Sequence, residues 1–388
     1  MKFKRIFLIV MDSLGVGEAI DAKKWNDAGA TTLGHILKYN PLDYPNFEKM
    51  GFLNLVNYKN IEKTDSYYTK AHPKANGKDT LTGHLEMMGI RTLIPFKTFT
   101  ETGFPSELIS ELEKRWGRKI IGNCNASGTE IIKELGPDQM KTGDMIVYTS
   151  ADSVLQVAAH EEVIPLEELY KDCEIARELT TKDEWKVGRI IARPYIGEPG
   201  NFTRTGNRRD YALDPAGDTV LDNLKNNNYD VIAIGKINDI FNGCGITKTT
   251  HTGDNLEGIK LILETEKEDF TGLCFANLND FDSKYGHRRD IKGYAEAIKV
   301  LDNYLPEIKS NLHSNDLLII TADHGNDPSY RGTDHTRENT PVLIYSPSFK
   351  DPKHLKELDC FSDIGATIAD NFNVKMPIVG KSFLGKLK

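Results

Sequence analysis

The run Thr321-Ala-Asp-His-Gly-Asn-Asp327 sets a carboxylate and an imidazole side by side, Asp323 and His324, directly after the apolar stretch 317–320. In open α/β sheets ligands collect beyond the carboxyl ends of the strands, so both side chains would emerge where chemistry is usually done. Asp12 repeats the placement: it follows the apolar stretch 6–11 and precedes the turn-forming Ser13-Leu-Gly-Val-Gly17, although alone it reads more readily as a helix cap. The segment Asp282-Ser-Lys-Tyr-Gly-His287 follows the apolar stretch 273–278 and offers another carboxylate and imidazole, with Asp280 and Asp290 as competing carboxylates. His335, in Gly332-Thr-Asp-His-Thr336, precedes a further apolar stretch at 342–345. Three aspartates and three histidines are donors enough for two divalent ions. Mixed imidazole and carboxylate ligation suits Mn²⁺ or Zn²⁺ better than Mg²⁺ or Ca²⁺. Two metals roughly 4 Å apart commonly serve phosphoryl transfer.

Phosphoryl transfer through a covalent enzyme needs a nucleophile, and Gly77-Lys-Asp-Thr-Leu-Thr-Gly-His84 presents hydroxyls between glycines. A threonine hydroxyl is a weak nucleophile unless a metal or base lowers its pKa. Spacing alone does not separate Thr80 from Thr82.

The elements that must position these residues are legible as short runs rich in Ile and Val. Runs at 6–10, 231–234, 273–278, 317–321 and 342–345 predict strands buried on both faces. Helical periodicity covers 293–308 and 363–372, the second behind an aspartate, Asp363, suited to capping its start. The alternation predicts a mostly parallel sheet covered by helices. The middle of the chain differs, with strand patterns at 119–122, 145–149 and 187–192 between Glu-rich helical segments at 105–115 and 166–179. Flanks rich in Gly and Pro then place an inserted α+β domain at residues 99–216, with the core built from 1–98 and 217–388.

A formal charge of -8 argues against a dedicated nucleic-acid binder, which needs a basic surface to displace phosphate counterions. The five cysteines are scattered and form no C-x-x-C pair, as expected of reduced thiols in a cytoplasmic protein. No apolar run approaches the roughly 18 residues of a membrane span. No feature calls for an obligate protein partner.

Taken in order, Asp12 in Val-Met-Asp-Ser, Gly-Lys-Asp-Thr-x-Thr-Gly-His, Asp282 with His287, Thr-Ala-Asp-His-Gly-Asn and Gly-Thr-Asp-His-Thr-Arg337 resemble the phosphopentomutase family of the alkaline phosphatase superfamily. The resemblance runs essentially end to end. It implies an alkaline phosphatase-like core with an inserted cap, and two Mn²⁺ per chain. One ion would be held by Asp282, His287 and His335, the other by Asp12, Asp323 and His324. Thr80 would be the phosphorylated residue. Asp152, Arg189 and Arg204 of the inserted region would contact substrate, as would Lys236 of the core. Relatives often carry Trp where Leu85 follows His84. The implied reaction interconverts α-D-ribose 1-phosphate, or its 2-deoxy analogue, and the 5-phosphate through a pentose 1,5-bisphosphate, primed by a sugar bisphosphate such as glucose 1,6-bisphosphate.

Rival expectations are a phosphomonoester hydrolase of the same superfamily and a metal-binding structural protein. A sulfatase would need a C-x-P-x-R type signature, which is absent, and the phosphoglycerate mutase branch would carry Ser at the position of Thr80.

Overall fold

The computed structural model describes residues 1–150 and 153–388. The chain divides into two compact units, Met1–Leu93 with Pro215–Lys388 and Ile94–Asp214. In chain order the first unit supplies strands β1 (Arg5–Met11) and β2 (Tyr67–Ala71). The second holds β3 (Ile120–Asn125), β4 (Met145–Thr149), β5 (Val154–His160), β6 (Arg189–Glu198), β7 (Asn201–Arg204) and β8 (Arg209–Ala212). The first then resumes with β9 (Asp230–Ile234), β10 (Lys248–Thr250), β11 (Gly272–Leu278), β12 (Asp316–Thr321) and β13 (Thr340–Tyr345).

The first unit's sheet has seven strands in the order β10-β9-β11-β1-β12-β13-β2. β10 through β12 run parallel, whereas β13 is antiparallel to both neighbours. β1 lies in the middle and is buried along its whole length. Its alternate residues Phe7, Ile9 and Met11 join a core that includes Ile298, Leu301 and Leu305 of the helix Ile291–Asn311 and Leu33 and Ile36 of the helix Thr32–Tyr39. Ile6, Leu8 and Val10 point to the opposite face by the two-residue period and are equally buried. Burial of each such side chain is worth roughly 2 kcal/mol. That is why β1 reads as a continuous apolar run instead of an alternating one. The pairings Met11 with Leu278 and Val10 with Thr321 level the carboxyl ends of β11, β1 and β12. The loops leaving these three strands must therefore emerge side by side.

The second unit is a six-stranded mixed sheet, β3-β4-β5-β6-β7, with β8 also paired to β6. Leu108 and Leu112 of the helix Ser106–Trp116 and Leu169 and Cys173 of the helix Leu166–Leu179 pack with Val147, Val157 and Ile190. Ile131 and Ile132 of the helix Gly128–Thr142 pack separately with Ile146, Tyr148 and Tyr195. Helices thus surround mixed sheets, the α/β architecture expected from the sequence. Among the described residues, no helix is long and apolar enough to cross a membrane.

Local readings depart from the structure at several points. β5 and the helix Gly128–Thr142 escape sequence periodicity, the latter because Gly136 and Pro137 interrupt its pattern. β6 begins at Arg189 and runs on to Glu198, since pairing with β7 extends it beyond the apolar residues. Asp363 does not cap the helix Ser362–Phe372, whose N-cap position is Phe361. Its carboxylate instead accepts the backbone N–H groups of Asp359 and Lys381, 3.0 and 2.7 Å away, tying the C-terminal segment down.

Candidate metal centre

Three neighbouring strands deliver the acidic residues. Asp12 is the first residue beyond β1, Asp323 and His324 lie just beyond β12, and Asp282 lies in a single π-helical turn, Phe281–Gly286, after β11. Such turns recur at functional sites because the extra residue redirects a side chain. The competing carboxylates are occupied structurally. Asp280 accepts from Asn255 N and Lys284 Nζ at 3.0 and 3.1 Å, and Asp290 caps the helix Ile291–Asn311 through Gly293 N.

Two donor sets form among the described residues. Asp282, His287 and His335 bring one ligand atom each within 4.8 Å of one another, as do Asp12, Asp282 and His324. In the first, Asp282 Oδ2 is 3.2 Å from His287 Nε2 and Oδ1 is 3.3 Å from His335 Nε2, while the two imidazole Nε2 atoms are 3.0 Å apart. His287 Nδ1 lies 2.8 Å from Thr333 O, where a donated N–H leaves Nε2 with its lone pair for the cluster. Burial alone would push the Asp282 carboxyl up, but the His335 and His287 imidazoles outweigh it and hold it well below the usual carboxylate range.

In the second set His324 Nδ1 is 3.0 Å from Gly325 O, so the network again directs the Nε2 lone pair inward. That atom faces Thr80 Oγ1 at 3.2 Å, Asp323 Oδ2 at 3.4 Å and Asp12 Oδ1 at 3.5 Å. Asp12 Oδ1 and Asp323 Oδ2 are buried and accept no hydrogen bond. Buried carboxylate oxygens without donors are costly. A divalent cation among them satisfies all three ligand types at once, so the donor chemistry fits a metal. Without one, burial would push the His324 pKa down, but Asp323, Asp12 and Asp282 drive it well above the ordinary range. Asp323, despite its burial, is held at about 2 by His324 and His84. Asp282 thus belongs to both sets, whereas the sequence placed it in one, and Asp323 adjoins the second set through His324.

The surrounding groups fix these ligands. Asn277 Nδ2 donates to Asp12 Oδ2 at 3.0 Å, Asn326 Nδ2 donates to Asp282 Oδ1 at 2.8 Å, and Ser13 N donates to Asp323 Oδ1 at 3.0 Å. Ser13 adopts φ 76°, an uncommon left-handed conformation for a residue with a Cβ, to aim that N–H. None of the three stands out in the sequence as a site residue. Asn277 does leave a signal, a polar residue inside the apolar run of β11.

Thr80 opens the helix Thr80–Met87, with Asp79 as its N-cap. Asp79 accepts from Thr82 N and Thr82 Oγ1 at 3.0 and 2.6 Å, so the Thr82 hydroxyl is buried in the cap while that of Thr80 faces His324. Arg337 holds the preceding loop, donating to Gly77 O at 2.6 Å and to Pro73 O at 3.2 Å while paired with Asp21. Gly83 lets the helix reach the ligands, because a Cβ there would sit 2.2 Å from Asp323 O. Gly83→Ala is therefore expected to cost roughly 1–3 kcal/mol and to lower metal affinity, since backbone must move. Chemical unfolding and metal titration of the variant check this; wild-type values in both would show that the contact yields freely.

The predicted substrate residues are divided between the two units. Lys236, partly exposed, follows β9 in the first unit. Arg189, 3.5 Å from Asp210, and the exposed Arg204 lie on β6 and β7 of the second. Asp152 falls outside the described residues.

In fold the chain is similar to a phosphoglycerate mutase of Leishmania mexicana studied at low cobalt concentration, at 12% identity and TM-score 0.50 over 98% of this chain and 97% of that one. A protein of Pyrococcus horikoshii aligns over 96% of this chain and 98% of its own at 17% identity and TM-score 0.49. The profile of the metalloenzyme superfamily matches residues 4–376. With that match spanning nearly the whole sequence and two donor sets at the ends of its central strands, the chain belongs to the metalloenzyme superfamily.

Proposed function

We propose that this metalloenzyme is a phosphopentomutase, interconverting ribose (or 2-deoxyribose) 1-phosphate and 5-phosphate through phosphorylated Thr80. The observation that carries the reading is the Thr80 hydroxyl, 3.2 Å from His324 Nε2 at the start of a helix, where backbone N–H groups favour a phosphate. Asp282, His287 and His335 would hold one Mn²⁺ and Asp12, Asp323 and His324 the other, the Asp282 carboxylate being a member of both donor sets. Bound there, the ions supply charge neutralisation for the phosphoryl oxygens and acidify the Thr80 hydroxyl.

Phospho-Thr80 loses its P–O bond as a new one forms to the free hydroxyl oxygen of the sugar monophosphate, and the sugar's hydroxyl proton ends on Thr80. The product is a pentose 1,5-bisphosphate. Transfer of its other phosphoryl group to Thr80 restores the phosphoenzyme and frees the isomer. Asp79 and Arg337 keep the Thr80 loop in place during both transfers, and Arg189, Arg204, Asp152 and Lys236 bind the sugar phosphate. A bisphosphate such as glucose 1,6-bisphosphate would charge Thr80 initially.

The test is to incubate Mn²⁺-loaded protein with ribose 5-phosphate and that primer, then measure ribose 1-phosphate and free phosphate together. Isomer without stoichiometric phosphate is expected. Phosphate without isomer would instead identify a hydrolase built on the same donors.

A further inference from the structure

The motif Gly77-Lys-Asp-Thr-Leu-Thr-Gly-His84 ends in an imidazole that belongs to neither donor set. His84 is fully buried on the helix Thr80–Met87, four residues after Thr80. Residues at that spacing share a helix face, and helical side chains lean toward the N-terminus, so the ring reaches back over Thr80. Its face stacks on Phe275 of β11 at a centroid distance of 5.8 Å. A buried, stacked ring has few orientations open to it, so the partners of its two nitrogens define what it does.

Nδ1 of His84 is 2.9 Å from Thr80 O and 3.2 Å from Asp323 Oδ2. Both oxygens are acceptors, so Nδ1 carries the proton and donates it to Thr80 O. Nε2 is 3.3 Å from Asn277 Nδ2, the amide nitrogen that donates to Asp12 Oδ2 at 3.0 Å. A side-chain amide nitrogen offers two hydrogens and accepts none. One goes to Asp12 and the other to His84 Nε2, which therefore acts as an acceptor. The network thus selects one tautomer of a neutral ring and commits both of its nitrogens. Asp12 Oδ2 is occupied in the same way, which leaves the partnerless Oδ1 turned toward His324 Nε2 at 3.5 Å. A single side chain touches the backbone of Thr80, the carboxylate of Asp323 and, by way of Asn277, that of Asp12.

We propose that His84 is a positioning residue, holding the Thr80 hydroxyl in register with Asp12 and Asp323 so that one ring places both the nucleophile and the second ion. Its effect on that ion follows from the donor atoms alone, whereas its effect on phosphoryl transfer rests on the mutase reading. His84 has no free nitrogen with which to ligate a metal or move a proton. It acts through the groups it orients.

Titration with Mn²⁺ and elemental analysis after desalting test this in wild type, His84→Leu and His84→Gln. His84→Leu removes both links and is expected to weaken one ion about ten- to hundredfold, the scale on which partners of metal ligands act. The ion of Asp282, His287 and His335 should stay. His84→Gln offers a carbonyl oxygen to Asn277 Nδ2 and should recover most of the lost affinity. With ribose 5-phosphate and a bisphosphate primer, kcat of His84→Leu should fall by a similar factor while KM holds, because no substrate contact is removed. Two ions at wild-type affinity in folded His84→Leu overturn the proposal. So does equal loss of both ions, or an absence of recovery in His84→Gln, either of which marks a general packing role. Should His84→Leu fail to fold, NMR of isotope-labelled histidine in the Zn²⁺-loaded wild type decides: the Nδ1–H tautomer of His84 is expected, and any other form overturns the network. The expected ion losses in a protein whose wild type isomerises no ribose 5-phosphate would keep the role of His84 at the second ion and overturn the mutase reading instead.

Discussion

Thr80→Ala is expected to keep its metal and its fold and to lose pentose phosphate isomerisation by roughly a thousandfold or more, the scale on which nucleophile deletions act. The substitution removes one hydroxyl from a partly exposed helix start, and the cap made by Asp79 with Thr82 remains. Thr82→Ala makes the contrasting variant. It removes a buried hydroxyl that only anchors Asp79, so it should cost stability and leave a phosphorylatable residue. Phosphate incorporation from a labelled sugar bisphosphate, alongside turnover, separates the two. Label retained in Thr80→Ala and lost in Thr82→Ala would reverse the assignment.

Asp282→Asn has the second large effect. Its carboxylate belongs to both donor sets, so the variant is expected to lose both ions, with affinity down by more than about a hundredfold, beyond what outer-layer partners contribute. His287→Ala should lose only one. Asparagine preserves the side-chain volume, but its amide places at most one neutral acceptor where two charged oxygens stood. Elemental analysis after desalting reads the stoichiometry, with circular dichroism as the check on folding. One ion retained in Asp282→Asn would restrict that carboxylate to a single set, the arrangement implied by the family resemblance.

The contrast between Asp282 and Asp280 shows how far the sequence reaches. Both follow the same strand, and their spacing from Leu278 does not rank them. The π-helical turn at Phe281–Gly286 aims one toward His287 and His335 and leaves the other to Asn255 and Lys284. Thr80 and Thr82 are a similar pair. Only the helix start at Thr80 commits the second hydroxyl to the Asp79 cap and leaves the first facing His324.

The core strands are readable because β1, β9, β11 and β12 are buried on both faces and therefore form unbroken apolar runs. β5 escapes although it is equally buried, because Gln156 and two alanines dilute its apolar pattern. The sequence by itself determined the mostly parallel core sheet and the candidate donors lying after its strands, since hydrophobic periodicity and residue type are local properties. Only the tertiary structure decided that β11, β1 and β12 are neighbours, that Asp282 is common to two donor sets, and that Asn277, Asn326 and Ser13 orient the carboxylates. The physical reason is that strand order, side-chain direction and hydrogen-bond partnership depend on residues hundreds of positions apart, and no local pattern along the chain records which of them meet.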